Sequence, residues 1–358
     1  MDARAVAAAS TRPEAEVPYR ASWVDAVLAS LEGLPGPTWL AFGVLALASV
    51  LIAEALVLLA GRDLSVTGPR FVLLALIAPY SLALLRHLNK VAGQATDQFR
   101  PLLGLEPAAF EALRYRVTVF PSSIAIPAAI SIAIATTLGA LNAPAAFEIT
   151  GVPWPLAIGI LVYAIVTGMA YSALGLQILR QLVFVDRIHR AAKDIDLFDP
   201  APLHAFSRLT ARAALGLLLL AAMLAAATGR EVAEASAQFA ASVAVFYTGF
   251  ALSGVAAFIV PLYGMHQRIA AEKERLRTAA DARLRTMLEA FHADASGVEI
   301  IRADGLNKLI ATAIQERDLL AKLPTWPWQA ATLRGFASAL LLPVVVYILA
   351  RAAERVVL

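Results

Sequence analysis

The chain has 358 residues, 59% of them hydrophobic and only 16% charged, with a mean hydropathy of +0.70. That balance lies outside ordinary soluble domains and excludes a disordered chain. Thirty basic against 27 acidic residues leave a net charge of +3, too small and too dispersed for a nucleic-acid face, and the absence of cysteine removes disulfides, thiolate metal sites and cysteine nucleophiles.

Residues 1–20 mix Arg4, Arg12 and Arg20 with Asp2, Glu14 and Glu16, carry Pro13 and Pro18, and contain no continuous apolar run, so they do not read as a secretory signal. Trp23, Val27, Leu31 and Leu34 then recur at helical spacing until Gly33, Pro35 and Pro37 interrupt the pattern. This predicts a short amphipathic helix, lying on a membrane surface or packed against the rest of the chain.

A membrane crossing needs roughly twenty apolar residues. Seven stretches qualify: Trp39–Ala60, Phe71–Arg86, Phe120–Leu141, Trp154–Leu179, Leu209–Thr228, Phe239–Met265 and Gly335–Ala350. The second and the last are short and contain Pro79 and Pro343, so each reads as a full crossing or as a tilted, kinked or re-entrant segment. The expected fold is therefore all-α, a polytopic membrane protein of six or seven transmembrane helices.

Lys plus Arg in the stretches around these spans number 3, 2, 5, 0, 6, 1, 11 and 2 in chain order. The alternation places 25 on one side and 5 on the other, so the positive-inside rule puts the N-terminus in the cytoplasm and, if the last span crosses, the C-terminus outside. The location this implies is a bacterial cytoplasmic (inner) membrane. Trp39, Trp154, Trp326 and Trp328 fall at span edges, where an indole buries its ring and keeps its N–H wet, and are expected to be interface anchors.

The expected organisation is a tail with a surface helix (1–37), a bundle of about six helices (38–264) with cytoplasmic loops 87–118 and 181–208, a cytoplasmic segment (265–328) and a C-terminal membrane helix (329–358). In the third of these, Ile269, Leu276, Leu284, Leu288 and Phe291 make one apolar stripe and Leu306, Ile310, Ala313, Ile314 and Leu320 a second, with Asp294, Ser296 and Gly297 between them. An antiparallel helical hairpin follows. Its net charge of +1 between Met265 and Leu323 suits a solvated stalk or a surface that meets a protein partner.

No phosphate loop, dinucleotide fingerprint, zinc-protease or nucleophile-elbow motif occurs, and the five histidines have no ligand-spaced pair. No cofactor or metal is expected, and an enzyme is not the favoured class, although a lipid-modifying membrane enzyme could use scattered acids and histidines. Glu54 is the one acid well inside an apolar run and the candidate intramembrane ion or proton site. Ser122, Ser123, Tyr163, Tyr171, Gln177, Tyr247 and Thr248 are polar candidates, lining a path or packing helices together.

Two functions stay open: a channel or small-ion permease built around Glu54, and a membrane-anchored sensor, adaptor or assembly scaffold that uses the hairpin. The bilayer is the expected partner in both, and a homo-oligomer is compatible with either. Reporter fusions at Ala146 and Ala279 test the shared premise: they should lie in opposite compartments, and a common compartment would overturn the topology.

Overall fold

The computed structural model describes residues 18–62, 71–144, 147, 149–193, 195–234, 237–294, 300–328 and 331–338, with backbone alone over 228–244 and at some positions in 246–251 and 291–306. The described residues form helices and turns: α1 (Trp23–Glu32), α2 (Thr38–Leu59), α3 (Ile77–Phe99), α4 (Pro107–Thr118), α5 (Ser122–Asn142), α6 (Trp154–Ala191), α7 (Ala205–Glu234), α8 (Ala237–Asp294), α9 (Ile300–Lys322) and a last helical stretch over 331–338. Three prolines stand where a missing N–H costs least, at the first turns of α4 and α6 and at the N-cap of α5, while Pro127 and Pro261 lie inside α5 and α8.

Five segments are long and apolar enough to cross a membrane: Thr38–Leu59, Phe71–Leu102, Ser122–Asn142, Trp154–Ala191 and Pro200–Ala227. They coincide with the first five expected spans. The sixth, Phe239–Met265, falls in α8 where much of the side-chain structure is not described, and the seventh lies outside the described residues from 339 onward. The tail before residue 18 and the Ser296–Gly297 break lie outside them too.

The helices outrun the spans drawn from hydropathy. Residues 87–118, the expected cytoplasmic connection between two spans, continue α3 to Phe99 and add α4, because Leu85, Leu88, Ala92, Ala95 and Phe99 carry a buried stripe straight into the charged half. Likewise α6 runs 38 residues to Ala191 rather than stopping near Leu179. At 1.5 Å per residue it reaches about 57 Å, well beyond a hydrocarbon core of about 30 Å.

Helix α1 is held at its start by Ser22, whose side chain accepts from Asp25 N while the Asp25 carboxylate accepts from Ser22 N at 3.0 Å. It packs on the bundle through Val24 and Leu28, whereas Val27 and Leu34 of the expected apolar face are exposed. Trp23 and Leu31 of that face are half-buried, so the buried stripe overlaps the expected one but is offset toward Val24 and Leu28.

Helix α3 is the centre, packing against α6, α7, α4 and α2. Its approach to α7 depends on Gly216: a Cβ there would lie 2.3 Å from Cδ2 of Leu84, and the Tyr80 hydroxyl donates to the Gly216 carbonyl at 2.8 Å. By contrast α2 and α5 are peripheral, and Leu47, Leu51, Ile126, Ile130 and Ile134 are exposed along them. A monomer in water rarely shows such a continuous apolar surface.

Helix α8 is 58 residues long and α9 runs back along it. Arg283 pairs with Glu316 at 2.8 Å and Asp281 with Arg317 at 3.1 Å, while Lys273 Nζ donates to the carbonyls of Ala321 and Leu323. Contacts therefore rise in number on one helix as they fall on the other. Beyond α9 the chain returns to α8 through a column of rings, His266–Trp326–Trp328–Phe258–Phe336, with successive centroids 4.0, 4.2, 5.3 and 4.4 Å apart.

Gly216→Val should displace Leu84 and lower stability by about 1–3 kcal/mol, the usual range for overpacking. Gly43→Ala, whose Cβ meets nothing within 4 Å, is the control expected to be neutral; thermal unfolding in detergent reads both.

Candidate functional site

The polar candidates do not converge. Two separate groups form, one near the middle of the bundle and one at its arginine-rich end, and Glu54 belongs to neither.

The first group originates in Pro79. A proline has no N–H for the carbonyl four residues back and its ring crowds that carbonyl, so the helix over 71–75 breaks at Leu76 and restarts as α3. Tyr80 N to Leu76 O, 3.0 Å, resumes the ladder. The Ala75 carbonyl left over is buried, and the Ser49 hydroxyl of α2 donates to it at 2.8 Å. With that proton committed, Ser49 Oγ accepts from the Tyr163 hydroxyl of α6 at 3.0 Å. Tyr163 thus serves a helix junction.

Glu54 lies one turn further along α2. It is half-buried on the border between the packed stripe of Ala53 and Val57 and the exposed stripe of Leu47, Leu51 and Leu58. The small cavity nearby, about 50 Å³, is lined by Ala53, Leu56, Val57, Phe71, Ile160 and Tyr163 among others, and not by Glu54. No polar continuation of Glu54 through the bundle is found among the described residues.

The second group ties three helices, α3, α4 and α6, and the N-terminal segment. Gln177 and Gln181, one turn apart on α6 and both buried, donate to Asn89 Oδ1 of α3 at 3.0 and 2.8 Å. Arg180, between them, donates to Val119 O at 2.7 Å and Gln177 Oε1 at 3.1 Å, and its other terminal nitrogen donates to Arg116 O and the Tyr19 hydroxyl. The guanidinium therefore caps the last carbonyls of α4, which a cation at a helix C-terminus does favourably. Tyr19 in turn donates to Val119 O at 2.8 Å; burial pushes its phenol up, although Arg180 opposes the shift, so it stays a donor at neutral pH.

Of the remaining candidates, Ser122 is half-buried and its amide bonds Arg20 O at 3.1 Å, while Ser123 is exposed at the start of α5. Tyr171 is half-buried on α6, Thr248 is exposed on α8, and the Tyr247 side chain lies outside the described structure. Trp39 and Trp154, each about three-quarters exposed, open α2 and α6. Trp326 and Trp328 stack in the aromatic column.

Ser49, Asn89, Arg180 and Gln181 were not singled out from sequence. Pro79 signals a carbonyl in need of a donor, but nothing local says which side chain supplies it. Among the described residues no three His, Asp or Glu side chains gather where they could hold a metal ion. The chain matches no protein-family model, no curated protein and no solved structure.

Ser49→Ala should cost about 1 kcal/mol, within the range measured for hydrogen bonds between membrane helices. In a Pro79→Ala background the restored amide can close on Ala75 O, so the same change should cost measurably less. Equal losses in a double-mutant cycle of thermal unfolding would refute this account of the junction.

Proposed function

We propose that this chain is an integral membrane protein that works as an anchored scaffold or sensor, with α8 and α9 forming a cytoplasmic hairpin that meets a partner. The observation that carries this reading is the length of α8. At 58 residues it spans about 87 Å, roughly three times the hydrocarbon core, so a single unbroken helix belongs to the bundle at one end and to the hairpin at the other. The cross-helix pairs Arg283–Glu316 and Asp281–Arg317 are half-exposed and weak singly. With the Lys273 cap and the ring column they nevertheless hold α9 in register on α8.

A conduit is less well supported. Ser49, Tyr163, Asn89, Gln177, Arg180 and Gln181 make hydrogen bonds between helices, and Glu54 stands at the edge of α2 beside none of them. The alternating basic stretches support placing the hairpin on the cytoplasmic side.

Replacing Glu274–Leu320 by a short Gly/Ser linker keeps Arg268 and the Lys273 cap and tests the reading. The excised protein should still insert and unfold at an unchanged temperature, while partner recovery by cross-linking from hairpin positions is lost. Vesicles containing the full chain should show no ion or proton flux that Glu54→Gln alters. A Glu54-dependent flux that survives the excision would replace the scaffold by a conduit.

A further inference from the structure

Helices α3 and α7 run antiparallel, since Leu84 meets Gly216 and, further along α3, His87 meets Arg212. Exposed His87 and Lys90 stand one turn apart on α3, and exposed Arg208 and Arg212 one turn apart on α7. Lys90 and Arg208 therefore lie on the same side of the His87–Arg212 contact. An arginine can only donate, so the 3.2 Å approach of Arg212 to His87 Nε2 makes that nitrogen an acceptor and leaves the ring neutral, with its proton on Nδ1.

The seam between these helices is positive and uncompensated. The charged side chains within electrostatic reach of the His87 ring are Arg212, Lys90 and Arg86, all cations. Arg86 is answered by Glu32 at 2.5 Å, and Asp97, the acid next along α3, is spent on Arg114 at 2.9 Å. Among the described residues Lys90, Arg208 and Arg212 pair with no carboxylate. The nearest relief is a 3.5 Å contact from Arg208 to Gln98 Oε1, which carries no charge.

The depth of the seam follows from Asn89, the neighbour of Lys90, which accepts from Gln177 and Gln181 of α6. Gln177 lies 23 residues beyond Trp154, or about 34 Å along α6, so the seam stands about one hydrocarbon thickness from the exposed indole that opens that helix. Toward the middle of the bundle the seam turns apolar, with Leu84 and Leu215 half-buried and Leu219 exposed. Away from the middle, Gln94 and Gln98 are exposed. The cations lie between the two, at the level of lipid headgroups.

We propose that Lys90, Arg208, Arg212 and the Nδ1–H of His87 bind the headgroup phosphate of one anionic phospholipid of the arginine-rich leaflet. Charge complementarity calls for an anion, and the position between an apolar and a polar stretch calls for one carried by a lipid. Guanidinium donors on two helices suit a phosphate, which accepts several N–H groups at once. The inference rests on the membrane placement proposed above and not on the hairpin's having a partner.

The test is native mass spectrometry of the full chain after exchange into mixed phosphatidylglycerol and phosphatidylcholine. The intact chain should retain phosphatidylglycerol in preference. Lys90→Gln or Arg212→Gln should each lower that preference about fivefold, and the two together about 25-fold, the effect of one and of two cations at an anionic surface. Both residues are exposed and outside any ion pair, so the unfolding temperature should not move. Arg116→Gln, an exposed cation on α4, is the control and should leave the preference as it was.

An equal loss in Arg116→Gln would make the charge a diffuse belt and overturn the site, as would a preference that the double variant leaves intact. The chain's own acidic N-terminal residues are the alternative occupant. Asp2→Asn, Glu14→Gln and Glu16→Gln together should change nothing, and a rise in lipid retention would give the seam to that segment instead. Alkaline extraction reports membrane placement separately: an embedded chain without the preference counts against the seam alone, whereas a chain released by alkali removes the membrane placement and the seam with it.

Discussion

A carbonyl buried among apolar helices must find a donor, and much of this architecture follows from that constraint. Pro79 leaves the Ala75 carbonyl without its helical partner, and the answer is a serine from one neighbouring helix backed by a tyrosine from another. The same requirement recurs at the arginine-rich end, where the last carbonyls of α4 are capped by Arg180 of α6, and the last carbonyls of α6 by Arg268 of α8. Both of these helix ends are closed by a side chain from a neighbouring helix. Ser49, Tyr163, Gln177 and Arg180 are among the polar groups thereby occupied in holding helices together.

These ties set the positions of the surfaces that remain. With α6 fixed to α3 by Gln177, Gln181 and Asn89, and α8 fixed to the end of α6 by Arg268, the two long helices stand apart over their upper length and leave a groove between them. On its other face α8 takes the aromatic column, which returns the chain from α9 and fixes the 331–338 stretch through Phe336. One helix therefore borders the groove, packs against α9 and receives the end of the described chain.

Several parts were legible in advance. The five apolar helices long enough to cross a membrane and the helical continuation of α8 follow from hydropathy and periodicity, which average over many residues. Shorter signals fared less evenly: α1 exists where Trp23 and Ser22 suggest, yet Val24 and Leu28 form its buried face. The inter-span segments 87–118 and 181–208 carry α3, α4 and α6 onward, because charge marks where a helix leaves an apolar stretch and says nothing about where its backbone stops. Trp326 and Trp328 carried a composition suited to a membrane interface, and their stacking on His266 and Phe258 depends on how the chain returns after Pro324.

The amino-acid sequence by itself determined the class of this protein: apolar runs of bilayer length, an alternation of arginine-rich and arginine-poor stretches, and no motif of soluble catalysis. Those are properties of composition and period, summed along the chain. Tertiary structure decided the role of individual polar residues, turning Tyr163 and Gln177 into joints, leaving Glu54 at a helix edge and opening a charged-mouthed groove between α6 and α8. The reason is that a hydrogen bond or a cavity is a relation between residues distant in sequence, and which pairs meet is set only when the helices pack.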